Sequence, residues 1–140
     1  MYSLASAGKK RSRILFPKQS LQENYTVTLG DKQRLFVKLQ GIFIPWCYAN
    51  GYELTDGEAL RDKRIAELNA ASGAGISNSL HLISLARDWH LFIAGIYQTA
   101  SEAYKPLGDH WKTLHPLCRW GGDFSKPDGN HFSLEHEGVR

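Results

Sequence analysis

Four side chains in the second half of this 140-residue chain have the types and spacing that metal-assisted hydrolysis needs: His81 and Asp88 in the middle, Asp128 and His131 near the end. Zinc in a hydrolytic site takes three nitrogen or oxygen ligands and leaves one position open. Two histidines and one carboxylate supply the three. A second carboxylate beside the open position can take a proton from water and return it to a leaving amine. Asp128 is spaced for that task, because the turn Asp128-Gly129-Asn130 lets its side chain fold back beside His131. Taken singly the signals are weak. An H-x6-D spacing arises by chance, a sheet histidine is usually a satisfied packing residue, and Asp-Gly-Asn turns are common.

The elements that must position these groups read as follows. Thr28-Leu29-Gly30-Asp31 resembles a weakened capping box, and Leu35, Phe36, Leu39, Ile42, Phe43 and Trp46 recur at helical spacing behind it. The pattern predicts an amphipathic helix over 31–49, stopped at Asn50-Gly51, with Pro45 bending or shortening its last turn. Tyr52 to Thr55 alternates as a short strand, and Glu58 to Ala71 has room for one short helix. Ser72-Gly73-Ala74-Gly75 and Ser77-Asn78 read as a mobile surface loop beside the first histidine. Leu80 to Leu82 and Leu85 to Phe92 look like a strand or strand pair, with Ile96-Tyr97 pairing back after Ala94-Gly95. Ser101 is a fair N-cap for a helical stretch to Leu114, broken near Pro106-Leu107-Gly108. Cys118-Arg119-Trp120 and His131 to Leu134 are short strands around a turn-rich loop, Gly121 to Asn130. The sum is an α+β domain: a small antiparallel sheet with flanking helices, residues 28–140, behind a basic tail, residues 1–27, expected to be poorly ordered.

Bulk composition narrows the function classes without choosing one. Hydrophobic residues make up 42% and charged residues 22%, the ordinary globular range, and a net charge of +3 suits a polyanionic surface without identifying it. Cys47 and Cys118 are the only cysteines and form no C-x-x-C pair, which excludes a Cys₄ zinc knuckle and favours two free core thiols. Only Ile14-Leu15-Phe16 follows the cluster Lys9-Lys10-Arg11-Ser12-Arg13, too short for a signal-peptide core, and no run is long enough for a membrane span. Synthesis in the cytoplasm without an export signal and no membrane insertion are therefore expected. The basic cluster lacks the interleaved aromatics of a nucleic-acid platform, so nucleic acid is not expected as a partner.

Two stretches together resemble a known family. Ser79-x-His81-x6-Asp88, with Ala86 two before the aspartate, is similar to the S-x-H-x-x-G-x-A-x-D signature of the D-alanyl-D-alanine carboxypeptidase family of zinc peptidases, to which many phage L-alanyl-D-glutamate peptidases belong. Trp120-Gly121-Gly122-Asp123-Phe124 followed by Asp128-x-x-His131-Phe132 resembles its second signature, and Thr55 to Arg61 is similar to the segment carrying its substrate-binding arginine. The resemblance runs from about Gln33 to the C-terminus. It implies a fold of the hedgehog/D,D-peptidase type and one zinc per chain held by His81, Asp88 and His131. It also implies Asp128 as general base and Arg61 on the scissile carbonyl as it becomes an oxyanion. Ser79 would line the substrate cleft, with Trp120 as a wall of it. The implied substrate is the peptidoglycan stem peptide, cut at L-alanyl-D-glutamate or D-alanyl-D-alanine by a monomer that reaches the wall after holin-type release.

Four positions depart from the pattern: Ser84 replaces the usual glycine, Arg87 stands directly before Asp88, and Trp89-His90 follows it. Arg87 in a core-facing strand is costly unless paired or wet, and at Asp88 it would compete for the ligand's charge. These departures support a second reading, a catalytically weakened, zinc-containing wall-binding or structural module. Asp123 is a second candidate base, with holding the Gly-Gly loop as its alternative role. His90, His110, His115 and His136 read as surface or boundary residues, and Trp46, Trp111 and Phe132 as core.

Overall fold

A computed structural model of the chain describes residues 27–73 and 79–140; the expected basic tail, through residue 26, and the end of the glycine-rich loop fall outside them. The capping box forms in full. Asp31 N–H donates to Thr28 Oγ1 at 3.1 Å, and Thr28 N–H donates to Asp31 Oδ2 at 2.9 Å. Helix α1 then runs Leu29–Ala49 and buries Phe36, Leu39, Phe43 and Cys47, one stripe at helical spacing. Ile42, expected on that stripe, is 49% exposed, because it lies a full residue step round the helix from Phe43. The helix also continues through Pro45. The missing donor leaves the Gly41 carbonyl without its intrahelical bond, at an exposed position that water can reach.

Strand β1 (Tyr52–Asp56) follows the Asn50-Gly51 turn and pairs antiparallel with β2 (Ala86–Ile93). Helix α2 (Lys63–Ala71) lies between them in sequence, N-capped by Asp62. Strands β3 (Ile96–Gln98), β4 (Cys118–Trp120) and β5 (His131–Leu134) complete a five-stranded sheet in the order β1-β2-β5-β4, with β3 also on β2. β2 is the strand shared by everything: its first half pairs with β5 and its second half with β1 and β3.

Two segments differ from the reading of the sequence. Leu80–Ile83 is a 3₁₀ turn rather than a strand, ended by Ser84 at φ +56°. The stretch after Ala100 divides into a 3₁₀ turn, Ser101–Tyr104, and helix α3 (Lys105–Leu114). The break therefore precedes Pro106, which sits in the first turn of α3 where its missing N–H costs nothing.

α1 and α3 cover one face of the sheet, and Phe43 is the centre of what they enclose. Its ring lies 5.3 Å from those of Trp111 and Phe132 and 5.6 Å from Trp89. Cys47 and Cys118 are free and buried there, and burial pushes both thiols up to about 12, so they pack as neutral groups. Among the described residues no helix is long and apolar enough to cross a membrane.

Candidate metal centre and active-site cleft

β-pairing places the first two groups. Asp88 on β2 stands directly opposite His131 on β5, so both side chains leave the same face of the sheet. His81 arrives from the 3₁₀ turn, where Ser79 Oγ accepts its backbone N–H at 3.3 Å. The left-handed Ser84 then reverses the chain so that Leu85 N–H reaches Leu80 O at 3.0 Å. That conformation favours glycine, which is the physical reason a glycine belongs at this place in the pattern.

The side chains converge on one oxygen. His81 Nε2 lies 3.3 Å and His131 Nδ1 3.4 Å from Asp88 Oδ1. One ligand atom from each of the three residues falls within 4.8 Å of the others. Asp88 Oδ1 is nevertheless buried without a well-formed hydrogen bond. His81 Nδ1 lies 2.8 Å from the Ala59 carbonyl, which can only accept, so Nδ1 carries the hydrogen and Nε2 turns its lone pair to the group. Two imidazole nitrogens and a carboxylate oxygen around an unsatisfied point fit zinc, and suit calcium or magnesium poorly because those prefer all-oxygen shells.

Electrostatics agree with that donor set. Burial pushes the Asp88 carboxyl up, but the adjoining His131 and His81 imidazoles prevail and hold it down to about 2. Burial alone would lower His81; the Asp88 carboxylate outweighs it and raises the imidazole above 6.5. Asp128 shifts the other way. Desolvation and then the negative charge of Asp88 raise it above 3.8, although much of the residue's surface meets solvent.

Asp128 shares a cavity of about 410 Å³ with the three convergent residues and with Arg61, Ser79 and Phe124. Arg61 is held rigidly: Nε and Nη2 donate to the two Glu58 oxygens at 2.5 and 2.7 Å, and its backbone N–H donates to His81 O at 3.0 Å. The strand edge beyond β1 ties in as well, since Gly57 N–H donates to Asp88 O at 2.9 Å and Asp88 N–H donates to Glu58 O at 2.7 Å. One short segment thus fixes both the Asp88 carboxylate and the cleft arginine.

The loop 121–130 is fixed from within. Asp128 N–H donates to Gly121 O at 2.8 Å and His131 N–H to Asp128 O at 3.1 Å. A Cβ at Gly121 would stand 2.1 Å from Asp128 O and 2.8 Å from His131 Cβ, so no larger residue fits. Trp120, expected as a cleft wall, is instead buried behind the loop, where Nε1 donates to Gly129 O at 2.7 Å. Its ring fills the space that a Cβ on Gly108 or Gly122 would need. The aromatic wall is Phe124, whose ring lies 5.4 Å from that of His131. Ser101 does not cap a helix; its Oγ accepts Gly129 N–H at 3.0 Å and ties the loop to the 3₁₀ turn that precedes α3.

The remaining expectations sort quickly. Asp123 lies outside the cavity that holds the four groups and pairs with Lys112 Nζ at 2.7 Å, tethering the loop to α3. Arg87 does not reach Asp88: strand alternation sends it to the opposite face, where it pairs with Asp56. His110 stacks on Trp46 with centroids 3.8 Å apart, and His136 meets Lys32 Nζ at 3.2 Å.

No family model matches the sequence, and no curated protein matches it. Among solved structures, the Serratia marcescens L-Ala D-Glu endopeptidase ChiX superposes with a TM-score of 0.63 at 19% identity, covering 79% of this chain and 89% of that one. The two share a fold. Neither the resemblance nor the periodicity singled out Glu58, Phe124 or Ser101 for their roles here. A carboxylate three residues before a cleft arginine was the one visible signal for Glu58.

Proposed function

We propose that this chain is a zinc-dependent peptidoglycan peptidase that hydrolyses the L-alanyl-D-glutamate bond of the stem peptide. What carries this reading is the convergence of His81, Asp88 and His131 on one point, with Asp128 and Arg61 lining the same cavity. The fold shared with an endopeptidase of that specificity favours this bond over D-alanyl-D-alanine.

His81 Nε2, Asp88 Oδ1 and His131 Nδ1 would hold the ion, and a bound zinc supplies a Lewis acid that polarises a carbonyl and makes water nucleophilic near neutral pH. Asp128 would take the proton from an attacking water, and burial together with the nearby Asp88 charge raises its carboxyl, making it a stronger base than an ordinary carboxylate. The same carboxyl returns the proton to the departing amine. Arg61, oriented by Glu58, presents its cation to the carbonyl oxygen as negative charge develops there. Ser79 and Phe124 shape the walls that orient the peptide. In this reading the protein works as a monomer on the cell wall after holin-type release. The alternative, a metal-holding module without turnover, rested on Ser84 and Arg87; with Arg87 paired to Asp56, half of that support is gone.

The test is a digest of purified peptidoglycan by the zinc-loaded protein, read by mass spectrometry. New amino-terminal D-glutamate is expected; free D-alanine would move the cut to the other bond. Intact muropeptides would refute the reading.

A further inference from the structure

We propose that Lys126 and Arg140 form a carboxylate-binding subsite that takes an acidic residue of the substrate on one side of the scissile bond; the proposal rests on the peptidase reading and deepens it. The candidate catalytic cavity does not end at Phe124. A second cavity adjoins it, and Phe124, Lys126 and Arg140 line both. Arg140 reaches this position because Glu137 and Gly138, at φ +50° and +78°, form a two-residue reversal closed by hydrogen bonds between His136 and Val139.

Other cations near the cleft are already neutralised. Arg61 is clasped by Glu58, and Lys112 is paired with Asp123, the acid that also lines the second cavity. Lys126 and Arg140 have no acid partner among the described residues. The cleft also carries Asp88 and Asp128, whose charge repels an acidic peptide unless cations offset it. Beyond Asp128 the groove continues past Tyr97, Gln98, Thr99 and Asn130, all neutral. A carboxylate is therefore accepted at one end only, and this asymmetry fixes the direction in which the peptide lies.

The test uses the zinc-loaded full chain and two synthetic stem peptides that differ only in bearing a carboxylate or a carboxamide on the residue after the cut. The acid form should be preferred roughly tenfold in kcat/KM, as expected for a carboxylate shared by two partly exposed cations. The preference should shrink at high salt. In the Lys126→Gln/Arg140→Gln double variant the acid-to-amide ratio should fall to about one, while Lys126→Arg keeps it. A wild-type ratio near one, or a ratio unmoved in the double variant, overturns the subsite. If neither peptide nor peptidoglycan is cut, the peptidase reading fails, and calorimetric affinities for the two peptides still decide the subsite. The same acid preference, lost in the double variant, sustains it; equal or absent binding overturns it.

Discussion

Adding one methyl group at Gly121 should disable the site without replacing any of the convergent residues. The new Cβ would lie 2.1 Å from Asp128 O and 2.8 Å from His131 Cβ, whereas real Cβ contacts stay beyond 3.0 Å. The Asp128 carbonyl must retreat by most of an ångström, and the 2.8 Å bond from Asp128 N–H to Gly121 O stretches with it. Overpacking of this kind costs about 1–3 kcal/mol of stability, equivalent to a fall in Tm of roughly 3–10 °C for a domain of this size. The effect on catalysis should exceed that, because a displacement of about 1 Å at a catalytic group can cost on the order of a hundredfold in rate. Gly41→Ala is the matched control. Nothing lies within 4 Å of its added Cβ, and its exposed mid-helix position should gain about 0.5–1 kcal/mol instead. Thermal melts and muropeptide release by folded protein below Tm read both variants. Wild-type stability and activity in Gly121→Ala would refute the packing account of the loop.

Three further outcomes follow from the same geometry. Ser84→Gly relieves a left-handed residue at φ +56° and should raise stability by about 1 kcal/mol in a denaturant melt, leaving zinc content unchanged. Glu58→Gln removes half of the charge pairing that aims Arg61 and should lower kcat roughly tenfold with a smaller change in KM, measured on a soluble stem peptide. Zinc affinity should climb with pH through and beyond 6.5, because the raised His81 must lose its proton to bind, while Asp88, at about 2, offers no competition. The metal-free protein has the opposite slope from His81: that stabilisation is full below the unfolded imidazole's pKa and is lost as pH rises through the raised folded value, which melts across pH 5–8 would show.

Local chemistry was legible in the sequence wherever it was repeated or paired. The recurrence of Leu35, Phe36, Leu39, Phe43 and Trp46 and the box Thr28–Asp31 announced α1, and β4 and β5 stood out between turn residues. The candidate metal group was legible because its members lie in two short stretches that β2 and β5 bring into register. The apolar run at Leu80 misled, since four residues are too few for periodicity to separate a strand from a 3₁₀ turn. Ser101 and Trp120 owe their roles to contacts across the fold with Gly129, and composition carries no trace of which loop a hydroxyl or indole will hold. Arg87 was alarming in sequence because its partner Asp56 sits on a different strand, invisible until β1 and β2 pair.

The central claim is that His81, Asp88 and His131 hold a metal for which Asp128 serves as the base. The most direct measurement is zinc per chain alongside muropeptide release for wild type, Asp128→Ala and His131→Ala. The account predicts one zinc and cleavage in wild type, one zinc and no cleavage in Asp128→Ala, and loss of both in His131→Ala. Zinc-free wild-type protein that still cleaves, or Asp128→Ala cleaving at the wild-type rate, would contradict it.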